Sequence, residues 1–188
     1  MDKYIVELFE NRLGINDITA ISKYLILNER QIPELIAKLQ DSSDNYKKNA
    51  GWVLMHIAKQ DITKLVPYQE ICVNAAFLYQ DERILRNLLF VSNALLEQLS
   101  SQEKEKHFRL YEYCIHIAES ESYAPGTRSN ALSILEQFCM MEPELATEIS
   151  LVAASIIDYA SPGLKSKANK VLHSLNRRKY QTREDTPK

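Results

Sequence analysis

Pro125-Gly126-Thr127-Arg128-Ser129-Asn130-Ala131 recurs 37 residues later as Pro162-Gly163-Leu164-Lys165-Ser166-Lys167-Ala168. Behind the two copies come Ile134-Leu135 and Val171-Leu172 at the same offset. Proline, glycine, a base, serine, alanine, an aliphatic residue and leucine coincide in one register. Self-similarity at a fixed period of a few tens of residues marks stacked supersecondary units, each leaning on its neighbours.

Upstream, Ala50 and Leu88 take the alanine position, so Ala50, Leu88, Ala131 and Ala168 form one column. Six residues before it stand Asp44, Glu82, Pro125 and Pro162, all helix-start residues. Three before it stand Lys47, Leu85, Arg128 and Lys165, basic in three copies of four. Three and seven after it come Val53, Val91, Ile134, Val171 and Ile57, Leu95, Phe138, Leu175. The register is tightest at the aliphatic positions, where packing demands it.

Outside the repeat, apolar residues still recur at gaps of three and four. Ile32, Leu35, Ile36 and Leu39 form one stripe, and Phe108, Tyr111, Ile115 and Ala118 another. No strict alternation persists long enough for a strand. Four glycines and six prolines in 188 residues are about a twentieth of the chain, against about 12% on average. So few breakers cannot supply the turns of a β-sandwich or a glycine-rich phosphate loop. The class is therefore all-α, with about ten helices. Pro33, Pro67 and Pro143 are expected in helix first turns, and Asp44 and Asp81 as N-caps. Ser101 lacks the capping-box acid, because Lys104 stands three residues on.

These features together resemble the HEAT-repeat (armadillo-like) family, whose second helices carry an acid or proline start, aliphatic-Arg-x-x-Ala and a leucine-rich face. The resemblance runs from about Ile32 to Asn176, with residues 1–30 as a degenerate capping pair. It implies a short right-handed α-solenoid of about five antiparallel helix pairs, a single domain over 1–176. A basic tail, 177–188, follows, and it has no apolar stripe from Tyr180 on. Leu88, Leu89, Phe90 and Val91 cover most of a turn, as a helix in the middle of a stack should. First helices should be one-sided, and Lys104, Glu105, Arg109 and Glu112 leave one a polar face.

The resemblance implies a non-catalytic protein-binding scaffold or adaptor, with second helices lining a concave side. The register nominates Lys48, Arg86 and Ser129 in one column and Asn49, Asn87 and Asn130 in the next as partner contacts. The asparagines could equally cap or bridge neighbouring repeats.

Chemistry-bearing constellations are sparse. His56, His107, His116 and His173 never pair at i, i+4, so neither a metal site nor a cofactor is expected. Cys72, Cys114 and Cys139 have no CxxC spacing and lie in apolar helical patterns, which reads as buried thiols in a reducing compartment. No nucleophile-elbow motif occurs. Trp52 beside Lys48 and His56 could be a binding platform, although a lone helical tryptophan is more often core. No membrane span and no signal peptide are expected, which points to the cytoplasm.

Charge supplies the alternative. Residues 163–188 hold eight Lys/Arg and two Asp/Glu, while residues 1–162 hold 15 and 23. Such asymmetry can steer an acidic partner, nucleic acid included, with Lys167, Lys170, Arg177, Arg178 and Lys179 as nucleic-acid contacts, or it marks only a solvated terminal cap with a frayed tail. Some DNA glycosylases share the HEAT-like architecture, with a basic groove. Here only Lys47, Lys48, Arg86, Arg128 and Lys165 could line one.

Overall fold

The computed structural model describes residues 1–41, 43–100, 107–140 and 142–184, excepting the side chains of 40, 41 and 178–184. Among them are ten α-helices and no strand. The chain divides into two compact units, residues 1–98 and 99–188. In the first lie α1 (Lys3–Phe9), α2 (Ile15–Leu27), α3 (Ile32–Asp41), α4 (Asp44–Asp61), α5 (Gln69–Ala75) and α6 (Glu82–Leu96). In the second lie α7 (Phe108–Glu119), α8 (Pro125–Cys139), α9 (Ala146–Ile157) and α10 (Pro162–Glu184). The helix α10 thus continues past Asn176, where the repeat's apolar pattern stops.

Helix starts follow local chemistry. Asp81 caps α6 by accepting the Arg83 N–H at 2.9 Å. The cap of α4, however, is Ser43, whose Oγ accepts the Tyr46 N–H at 3.2 Å. Asp44 is the first helical residue, where its charge faces the free amides of the first turn. Pro125 and Pro162 open α8 and α10 directly, and Pro33 is second in α3. Pro67 and Pro143 instead sit in the 3₁₀ turns Val66–Tyr68 and Pro143–Leu145, just ahead of α5 and α9. A 3₁₀ turn tolerates proline for the same reason: the missing N–H has no partner to lose.

Packing follows the register. In the first unit α3 lies on α4 and α5 on α6, while the second helices α2, α4 and α6 stand side by side in that order. In the second unit α7 lies on α8 and α9 on α10, with α8 beside α10 and α7 beside α9. Ala50, Leu88, Ala131 and Ala168 are all fully buried, as are Val53, Val91, Ile134 and Val171. Each such aliphatic contributes on the order of 1.5–3 kcal/mol of burial. Cys72, Cys114 and Cys139 are free thiols within these cores. Burial pushes the Cys72 thiol up to about 12 and the Cys114 thiol higher still, which leaves them inert at neutral pH.

First helices end inside the stack, so their last carbonyls need donors. At the end of α1, Asn49 Nδ2 donates to the carbonyls of Phe9 (2.9 Å) and Asn11 (2.8 Å), and Asn45 Nδ2 to that of Glu10 (3.1 Å). At the end of α3, the Tyr79 hydroxyl donates to the Leu39 carbonyl. At the end of α7, Arg128 Nε donates to the Ala118 carbonyl at 2.9 Å. Its other nitrogen donates to the Tyr159 hydroxyl at 3.0 Å, and the guanidinium stands 5.4 Å from the centre of that ring. Arg128 is 4% exposed. The sequence places it among groove-lining bases; the structure buries it, because the negative end of the α7 dipole lies beneath it.

Two stability predictions follow from this packing. A Cβ at Gly51 would meet Ile84 Cγ2 at 3.8 Å and Asn87 Cβ at 3.9 Å, ordinary contact distances. Gly51→Ala therefore stabilises the chain by about 0.5–1 kcal/mol in urea unfolding, through helix propensity. Asn49→Ala strands two carbonyls and destabilises by about 2 kcal/mol in the same measurement.

Candidate interaction surface

With the inner columns committed to packing, the remaining positions of the second helices face solvent. They fall two residues before the alanine column and two, five and nine after it. On α4 these are Lys48, Trp52, Met55 and Lys59; on α6 they are Arg86, Phe90 and Asn93, with Glu97 as its C-cap. Trp52, Met55, Phe90 and Asn93 are half-buried, and Lys59, Arg86 and Glu97 exposed.

The two rows form one ridge. Lys59 Nζ lies 5.2 Å from the centre of the Phe90 ring, a cation–π contact from α4 to α6. Lys48 Nζ lies 3.3 Å from Asp81 Oδ2 at the start of α6. Partial burial draws the Asp81 carboxyl up, but the Arg83 amide and Lys48 outweigh it and hold the group below the usual range. Trp52 meets the His56 ring edge-on at 6.2 Å. Burial, then the charge of Lys59, lowers the His56 pKa, so this imidazole is neutral at pH 7. The ridge therefore offers two aromatic faces among lysine and arginine heads.

In the second unit the same positions carry different chemistry. On α8 they are Ser129, Ser133 and Glu136, with the exposed Met140 as its C-cap; on α10 they are Ser166, Lys170, His173 and Arg177. Glu136 is taken up by Lys167 Nζ at 3.1 Å, both side chains being 23% exposed.

The two nominated columns part company. Lys48, Arg86 and Ser129 reach the surface, Arg86 exposed and the others half-buried. Asn49 and Asn87 are each only 6% exposed, and Asn130 is half-buried. One residue along a helix is a 100° turn, which carries the second column from the open face into the seam with the neighbouring helix. Asn49 and Asn87 are thus turned into the stack, where Asn49 caps the end of α1, the second of its two sequence readings, and Asn87 faces Gly51 across the α4–α6 seam.

Of the polyanion contacts, Lys170 and Arg177 are exposed, while Lys167 is held by Glu136. The side chains of Arg178 and Lys179 lie outside the described residues, as do Ser101, Lys104 and Glu105 entirely. Of the remaining groove bases, Lys165 is exposed and Lys47 half-buried.

Phe90 is the residue that sequence reasoning missed, counting it as core, and Trp52 the one it left between platform and core. Their shared register, each two residues after the alanine column, is the signal that identifies both as outer positions.

Among the described residues no group of three or more His, Cys, Asp or Glu could hold a metal ion. No described helix is long and apolar enough to cross a membrane. Comparison with known proteins finds that the model of the HEAT repeat domain matches residues 5–175. No curated protein and no solved structure matches. The match takes in nine of the ten described helix starts and most of α1, so it includes the α1 and α2 region that the repeat register alone did not reach. The chain belongs to the HEAT repeat family.

Proposed function

We propose that this chain is a non-catalytic protein-binding scaffold or adaptor whose contact surface is the α4–α6 ridge. HEAT repeats generally mediate protein–protein interaction, and their family is typically non-catalytic. What supports the reading for this chain is the ridge itself: Trp52 and Phe90 at matching positions of adjacent helices, flanked by Lys48, Lys59 and Arg86. Tryptophan, aromatic neighbours and arginine are the residue types that dominate binding energy at protein interfaces. They combine a large rigid apolar area with little side-chain entropy to lose. The exposed Lys59 and Arg86 select a partner segment that presents acidic residues beside an apolar one.

The test is affinity capture from the native host with the wild-type chain and with Trp52→Ala/Phe90→Ala. A protein recovered at stoichiometric amounts by the wild type should be lost from the double variant, with affinity down at least tenfold. Circular dichroism of the variant should match the wild type, since both side chains are only half-buried. Equal recovery by the two chains rejects the ridge as the contact surface.

A further inference from the structure

The outer face of α10 differs from the ridge in kind. The described residues lining an open depression there include Lys165, Ser166, Asn169, Lys170, His173 and Arg177. All six are exposed. They recur at three to five residues, so they form one stripe, opposite the buried Leu164, Ala168, Val171 and Leu175. Lys165 and Lys170 stand in no ion pair among the described residues, and Arg177 meets only the His173 ring, at 3.0 Å. Among the described residues Lys167 is the lysine of this stretch with an acidic partner, and it points off the stripe to Glu136.

The composition of the stripe decides its partner. It carries three cations, a histidine, serines and an asparagine, and neither an acid nor an apolar anchor. A protein interface of useful strength has a desolvated apolar or aromatic centre, and the stripe has none. Donors without anchors are what a phosphodiester backbone takes, because phosphate contacts are made by lysine, arginine, serine and asparagine without any packed core. From Lys165 to Arg177 the helix rises about 18 Å, a span of about five phosphates at 3.4 Å per step of one strand.

The geometry points to a second binding site on α10, for the sugar–phosphate backbone of a duplex nucleic acid, read without base specificity. The site is independent of the ridge on α4 and α6, and neither reading needs the other.

Fluorescence anisotropy of the full chain with labelled DNA and RNA duplexes of about 20 base pairs tests it. Binding of either duplex should weaken from 50 to 200 mM salt with a log–log slope of at least about −2.7, three phosphate contacts' worth. Lys165→Gln, Lys170→Gln and Arg177→Gln should each lower affinity roughly five- to tenfold at 0.1 M salt. Lys3→Gln, which removes the same charge from an exposed residue of α1, should change it less than about twofold. A flat salt response, or equal losses from Lys3→Gln and Lys170→Gln, overturns the assignment. So does binding of polyglutamate but neither duplex, which would move the stripe to an acidic protein partner.

Discussion

A helical hairpin has more apolar surface than its own two helices can cover. In this chain that constraint falls on the second helices. Each of α4, α6, α8 and α10 packs on its first helix through one side and on a neighbouring second helix through another, as α4 does between α2 and α6. A helix with two buried sides has roughly one remaining for solvent. The alanine column and the aliphatic positions three and seven residues after it are what make this possible. Small or branched side chains there let helices approach closely without a void, and at 0–2% exposure none is wasted on the surface.

The same constraint creates a polar problem. Stacking the pairs drives the ends of the first helices into the protein, where their last carbonyls lose water. The chain answers with side chains from other elements: Asn49 and Asn45 for α1, Tyr79 for α3, Arg128 for α7. Three different residue types perform one task. No shared motif marks them, because the donor has only to reach a carbonyl, and each hairpin places its end differently. Arg128 makes the strongest bond of this kind, a charged donor at a helix C-terminus, and its flat guanidinium also lies near the Tyr159 ring.

These two requirements explain what could be read in advance. The apolar columns are legible because burial restricts residue type at a fixed spacing, whatever lies beyond. The all-α class, the number of helices and the repeat therefore follow from the sequence. The column three residues before the alanines is not legible in the same way. Lys47 is half-buried there, Leu85 and Arg128 buried, Lys165 exposed. One register position meets four environments, depending on which carbonyl or side chain the neighbouring element brings. Asn49 and Asn87 keep two readings open in the sequence for a similar reason. An asparagine at a seam and one on an open face look alike until the adjoining helix is placed. The cap at Ser43 rather than Asp44 is a smaller case, since either residue can accept a first-turn amide and backbone geometry chooses between them.

The outer positions are the complement of all this. Two residues after the alanine column stand Trp52, Phe90, Ser133 and Lys170, which share nothing but their place. Packing imposes no side chain there, so what occupies the column answers to whatever the face meets. A tryptophan left partly exposed keeps apolar surface in water that burial would remove. Lys59 covers Phe90 in part and His56 meets Trp52 only by its edge, so neither ring is sealed by its own chain. On α10 the reverse holds: Lys170 needs no cover, and it stands in no ion pair among the described residues. The scaffold is thus uniform where it is buried and specialised where it is open. Its two open faces are suited to partners of different chemistry, one that brings apolar surface and one that brings negative charge.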